Sequence, residues 1–147
     1  MSAAVGDDEA DQGGALVDTV ITFGTFDLLH IGHVRILERA RAFGRRLVVG
    51  VSSDELNVQK KGRAPVYPLA ARMALLRALR CVDDVFVEES LEKKRDYCLE
   101  HRADLFVMGD DWLGRFDDVV PCRVVYLPRT PSVSTTETIE VIRSLEQ

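Results

Sequence analysis

The stretch that decides the fold is "TVITFGTFDLLHIGHVRILERARAFG", Thr19 to Gly44. Its first six residues form an uncharged, Val- and Phe-containing run, the pattern of a buried strand. From residue 32 to 43 the period changes: Val34, Leu37, Ala40 and Phe43 fall near one face of a helix, and Gly44 supplies its stop. Between the two, Gly24 and Thr25 end the strand at a tight turn that Leu28 and Leu29 can pin by burial. His30 to His33 then enter a helix N-terminus, where backbone N–H groups favour anions. His30 and His33, three apart, can share one side of that turn. Gly32 has no side chain to block a phosphate approaching the backbone. Two imidazoles there can donate hydrogen bonds and carry positive charge near neutral pH.

The same alternation continues down the chain. Further strand-like runs are "LVVGVS" (47–52), "DVFVE" (84–88), "DLFVMG" (104–109) and "RVVYLP" (123–128). Most are continuously apolar rather than alternating, as in a parallel sheet covered on both faces. Helical patterns cover 68–81, with Leu69, Met73, Leu76 and Cys81 on an inner stripe, then 92–102 and 135–146. The expected architecture is α/β: a single-domain, doubly wound, parallel five-stranded sheet over residues 17–147. Ligands in such folds bind outside the carboxyl ends of the strands, where chain order reverses.

The unusual residues collect at that edge. "RTPSVSTT" (129–136) opens the last helix: Arg129 offers a planar fork for phosphate oxygens. Thr130, Ser134, Thr135 and Thr136 add hydroxyls and backbone N–H groups, and "STTE" reads as a capping box on Ser134. "QKKGR" sets Lys60, Lys61 and Arg63 around a glycine in a loop, either as a solvated charge run or as a lid over phosphates. "GDDW" puts Asp110 and Asp111 after a buried strand, as a turn or as carboxylates that orient a polar ligand or Mg²⁺. "EKKRD" carries Lys93, Lys94 and Arg95 near a helix start, facing solvent or an anionic substrate. "RCVDD" reads as a helix end with ion pairs, and Arg80 and Asp83 within it join the nucleotide-binding candidates.

Composition bounds the rest. The chain has 147 residues and a net charge of −5. Asp7, Asp8, Glu9, Asp11 and Asp18 stand in a stretch without Lys or Arg, and without them 19 acids balance 19 bases. Nothing suggests a nucleic-acid-binding face. Residues 1–16 are expected to be a disordered acidic tail rather than a signal peptide. No apolar run approaches membrane-spanning length. Cys81, Cys98 and Cys122 read as free thiols in a reduced, cytoplasmic protein.

These motifs together resemble the cytidylyltransferase family, within the nucleotidyltransferases that share an H-x-G-H signature. The resemblance runs over nearly all of 19–142 and includes "GTFDLLHIGH", "LLRALRCVDDV", "DLFVMGDDW" and "VVYLPRTPSVSTT". "MGDDW" favours the glycerol phosphate branch. The resemblance implies a Rossmann-like nucleotidyltransferase fold and a homodimer joining CTP and glycerol 3-phosphate into CDP-glycerol and pyrophosphate, with Mg²⁺. It implies His30, His33 and Arg129 as catalytic residues. Gly24, Thr25, Phe26, Asp27, Gly32, Lys61, Arg63, Arg80, Asp83, Thr130, Ser134, Thr135 and Thr136 join them in binding CTP. Lys60, Lys94 and Asp111 are implied on the acceptor, with Mg²⁺ held mainly by the CTP phosphates. The open alternatives are another phosphorylated acceptor (phosphoethanolamine, phosphocholine, a sugar phosphate or FMN) and a nucleotide-binding module without turnover.

Overall fold

The computed structural model describes residues 2–4, 15–129 and 134–145. Strands are β1 (Ser2–Ala4), β2 (Val17–Gly24), β3 (Gly44–Ser52), β4 (Asp84–Glu88), β5 (Leu105–Gly109) and β6 (Arg123–Leu127). Helices are α1 (Ile31–Arg41), α2 (Asp54–Lys61), α3 (Leu69–Arg77), α4 (Lys94–Glu100) and α5 (Thr135–Ser144). The sheet runs β1-β6-β5-β2-β3-β4, and every pairing in it is parallel. From β2 the chain winds outward through β3 and β4, then returns to β2's other side with β5 and β6. The reversal therefore lies between β2 and β5, and their carboxyl ends open a crevice there.

The strands are apolar on both sides because both sides are covered. Val20, Leu47, Val49, Val51 and Val107 pack against Leu37 and Ala40 of α1 and Leu76 of α3. On the opposite face, Ile21, Phe23, Phe106, Met108 and Tyr126 pack against Cys98 of α4 and against Phe116 and Val120. Alternate residues of one strand thus feed two cores, as the twofold side-chain period requires.

The five expected strands are all present, within a few residues of their predicted bounds. The structure differs in two places. Ser2–Ala4, inside the segment expected to be a structureless tail, pairs with Val124, Val125 and Tyr126 at the β6 edge. Three small residues carry no periodic signal, so a backbone pairing of this kind leaves no trace in the pattern. The second difference is α2, which occupies residues expected to be a loop. Ser53 Oγ caps it by accepting from Leu56 N at 3.0 Å, Leu56 and Asn57 are buried, and Gly62 ends it at φ 76°. Its charged last turn, with Lys60 and Lys61, masks a short helix with only one buried turn.

Candidate active site

The turn after β2 is held in a conformation that side chains ordinarily avoid. Phe26 has φ 55° and Leu28 φ 49°, both in the left-handed region. Such residues cost on the order of 1–3 kcal/mol each and persist only where neighbours fix them. Asp27, between them, is the fixing residue. Its buried carboxylate accepts from Leu28 N at 3.1 Å, Val66 N at 2.7 Å and Tyr67 N at 2.8 Å. Its backbone carbonyl accepts from Thr135 Oγ1 at 2.9 Å. The first turn, the 64–67 segment and the start of α5 are thereby tied at one residue. Gly24 permits the turn, since a Cβ there would meet the Phe26 ring at 2.8 Å.

His30 and His33 cap α1 reciprocally. His30 Nδ1 accepts from Gly32 N at 3.0 Å, and His33 Nδ1 accepts from His30 N at 3.2 Å. The rings stack with centroids 3.8 Å apart. A ring nitrogen that accepts carries no proton, so each neutral imidazole bears its hydrogen on Nε2. His30 Nε2 is buried without a protein partner, a donor awaiting an acceptor. Of the two properties imidazoles can bring near neutral pH, hydrogen-bond donation and positive charge, the protein environment opposes the second. Burial lowers the His33 pKa to about 4, with His30 and Lys61 acting the same way and Asp27 opposing. Burial and Arg129 lower that of His30 as well. The pair thus presents two neutral N–H donors to the cleft. Gly32 lines the cleft, and its N–H is committed to His30 Nδ1.

Across the cleft lies a buried polar floor. Glu88, at the carboxyl end of β4, stands opposite Ser52 of β3 in register. Its carboxylate pairs with Lys94 Nζ and lies 3.3 Å from Ser52 Oγ, which in turn accepts from Lys60 Nζ at 3.0 Å. Lys94 Nζ also sits 4.4 Å from the centre of the Phe23 ring. Burial lowers the Lys60 pKa, as do Lys61, Lys94 and Arg72, while Glu88 opposes.

Arg72 of α3, wholly buried, braces this end of the sheet. Its guanidinium donates to the carbonyls of Tyr67 (3.0 Å), Thr25 (2.9 Å) and Ser52 (2.8 Å), and pairs with Asp54 at 2.6 Å. Asn57 joins the same frame, accepting from Thr25 Oγ1 at 2.7 Å and donating to the Ser52 and Ser53 carbonyls. The open cleft measures about 750 Å³, within the usual range for a small-molecule site.

A cleft lined by imidazole donors, a helix start, the buried Lys94 and the half-buried Lys60 suits a substrate pair rich in phosphate. Residues 21–141 match the family described as cytidylyltransferase-like. The chain belongs to the cytidylyltransferase-like family. It is 49% identical over 127 residues to glycerol-3-phosphate cytidylyltransferase of Bacillus subtilis, covering 86% of this chain and 98% of that protein. It is 44% identical over 119 residues to the enzyme of the same name from Staphylococcus aureus, covering 80% and 89%. In fold it is similar to a lipopolysaccharide core biosynthesis protein from Thermoplasma volcanium, with TM-score 0.66 at 22% identity, covering 77% of this chain and 98% of that one.

Within this cytidylyltransferase-like cleft the structure brings together most of the residues singled out in the sequence. Gly24, Thr25, Phe26, Asp27, His30, Gly32, His33, Lys60, Lys61, Arg63, Lys94, Asp111, Arg129, Ser134, Thr135 and Thr136 all line it. Thr130 lies outside the described residues. Arg80 and Asp83 do not reach the cleft. Asp83 precedes β4, at the amino end of the sheet, where its carboxylate accepts from Leu47 N at 2.8 Å and pairs with Arg41 at 3.1 Å; Arg80 is exposed on the same approach. The alternative given for that motif, a helix end with ion pairs, is what the structure holds.

Asp110 likewise stays out of the cleft lining, whereas Asp111 enters it. Sequence patterning missed Ser52, Asn57, Arg72 and Glu88, because each sits at or beside an apolar element and shows its polarity only once the strands are aligned. No group of three or more His, Cys, Asp or Glu among the described residues is placed to hold a metal ion. Asp27 and Glu88 are both engaged by protein partners, so the residues do not form a cage for Mg²⁺.

Proposed function

We propose that this protein transfers a cytidylyl group from CTP to glycerol 3-phosphate, giving CDP-glycerol and pyrophosphate. The observation that carries the reading is the pair of stacked imidazoles, Nδ1 used by backbone and Nε2–H left to donate, at the start of α1 in a cleft of about 750 Å³. The acceptor follows from the names of the relatives that match most of this chain.

An oxygen of the glycerol phosphate attacks the CTP α-phosphorus. That bond forms as the one from phosphorus to the bridging oxygen of pyrophosphate breaks. A phosphate monoester is already anionic, so no strong general base is required. The demand is to hold two anions in line and to neutralise charge growing on the α-phosphate and the leaving group. His30 and His33 donate through Nε2 to the α-phosphate. Arg129 and the start of α5 take the departing phosphates, with Lys61 and Arg63 above them. Lys60 and Lys94 hold the acceptor phosphate, and Asp111 orients a polar group of the bound substrates.

Mg²⁺ enters in this reading as part of the nucleotide substrate, bound to its phosphates. A homodimer and a cytoplasmic location complete the proposal on the family resemblance. The exposed Val141 and Ile142 of α5, with Leu145 at its C-cap, supply an apolar face for such a dimer. No helix among the described residues is long and apolar enough to cross a membrane.

The test is pyrophosphate release with CTP and each acceptor in turn. Glycerol 3-phosphate should give the highest kcat/KM, and ATP should replace CTP poorly. A clear preference for phosphocholine, phosphoethanolamine, a sugar phosphate or FMN overturns the acceptor, and no release with any of them overturns turnover itself.

A further inference from the structure

Glu88 has no place in the chemistry above, because a carboxylate repels both substrates' phosphates. It is nevertheless 1% exposed and lines the cleft. We propose that Glu88 is a positioning residue that fixes the Lys94 ammonium directly, and the Lys60 ammonium through Ser52, in the floor where the acceptor phosphate binds. The inference rests on the acceptor reading above and deepens it.

Three features carry it. The first is the hydrogen-bond relay. Ser52 Oγ accepts from Lys60 Nζ at 3.0 Å, and its own proton has two acceptors in reach, the Glu88 carboxylate at 3.3 Å and the Gly24 carbonyl at 3.4 Å, of which the charged carboxylate is the stronger. The second is burial. Lys94 is 3% exposed, and apart from Glu88 its ammonium faces the rings of Phe23 and Phe116. A buried ammonium needs a counter-charge, and the ring faces supply only a weak one. The third is charge balance. Two lysines against one carboxylate leave a single net positive charge, so the floor is held without ligand and still attracts an anion. A lysine alone is a flexible point charge that loses rotamer freedom on gripping a ligand. A carboxylate set by the β3–β4 register removes that cost before the acceptor arrives.

Glu88 could instead be mere glue between β4 and α4, and coupling separates the two roles. The experiment compares Glu88→Gln, Lys94→Met and the double variant, varying glycerol 3-phosphate at saturating CTP and the reverse. Lysine side-chain ¹H–¹⁵N spectra are recorded on each ligand-free protein. Glu88→Gln should raise the KM for glycerol 3-phosphate about tenfold and leave the KM for CTP within about twofold. In the Lys94→Met background most of that effect should vanish, because Glu88 acts through Lys94. A protected ammonium signal that Lys94→Met removes should also be lost in Glu88→Gln.

Equal changes in both KM values, full additivity in the double variant, or a Lys94 signal untouched by Glu88→Gln would each overturn the proposal. If the unaltered enzyme does not consume glycerol 3-phosphate, the acceptor reading falls, and the ammonium spectra still decide whether Glu88 holds Lys94. Should Glu88→Gln fail to fold, Ser52→Ala tests the Lys60 arm. It should raise the acceptor KM about threefold with CTP unaffected, and no change there overturns the relay.

Discussion

His30 and His33 stack with ring centroids 3.8 Å apart, and each spends its Nδ1 on a backbone N–H of the turn they share. Both rings therefore have one nitrogen in the scaffold and one available to a substrate. This division of labour makes separable predictions for chemistry and for folding.

His33→Ala should lower kcat by about 100- to 1,000-fold, the usual loss for one donor aimed at developing charge. It should also cost roughly 1 kcal/mol of stability, because the His30 N–H loses its cap. Steady-state kinetics beside a thermal melt distinguish the two effects. A folded variant with near-normal turnover would remove His33 from the reaction.

Acid should act on the fold through the same ring. His33 has a pKa of about 4 in the folded protein against 6.5 in a model peptide, with burial the main cause. A depressed folded value means the unfolded chain binds the proton first. The stability from neutral His33 is complete above pH 6.5 and is lost as pH falls through about 4. Melting curves of wild type and His33→Asn between those limits should converge as pH falls. Parallel curves would show that His33 does not titrate this way.

Arg129→Lys should be severe, reducing kcat/KM at least about tenfold, because a point charge does not replace a planar fork on phosphate. Arg129 is exposed, so the melting temperature should stay unchanged. A lowered melting temperature with normal kinetics per folded molecule would make its role structural.

Asp27→Asn tests the hinge of the cleft. The amide would turn an NH₂ toward backbone donors that now point at carboxylate oxygens. The expected loss is about 1–3 kcal/mol, with a raised KM for CTP as 64–67 loosens. Urea unfolding and CTP kinetics measure both. An unchanged KM would separate the segment from nucleotide binding.

Arg72→Lys should cost about 1–3 kcal/mol, the scale for leaving buried acceptors unpaired, since one ammonium cannot reach three carbonyls and the partly exposed Asp54 together. Chemical denaturation measures it, and a loss under about 1 kcal/mol would show that the brace is dispensable.

The contrast between His30 and Glu88 explains what was legible beforehand. His30 belongs to a local pattern: a strand, a turn and a helix start, contiguous in the chain, advertise an anion site. Arg129 and Ser134 are legible for the same reason at α5. Glu88 acquires meaning only when β4 lies beside β3, 36 residues away in the chain from Ser52. Arg72 is similar: inside an apolar helical stripe it reads as an outward charge, yet it points inward because the carbonyls of Thr25, Ser52 and Tyr67 need a donor. Arg80 and Asp83 show the reverse error. Their charges stand out in sequence, but the connection places them at the wrong end of the sheet.

The double duty of the imidazoles has a consequence for how this protein tolerates change. In many enzymes a residue that performs chemistry is a burden on the fold, so its removal hardens the protein while silencing it. Here the two histidines start α1 as well as line the cleft. Random mutagenesis should therefore find no thermostable, inactive variants at positions 30 and 33. Selection for robustness and selection for turnover would guard the same two side chains, and drift at either position would forfeit both.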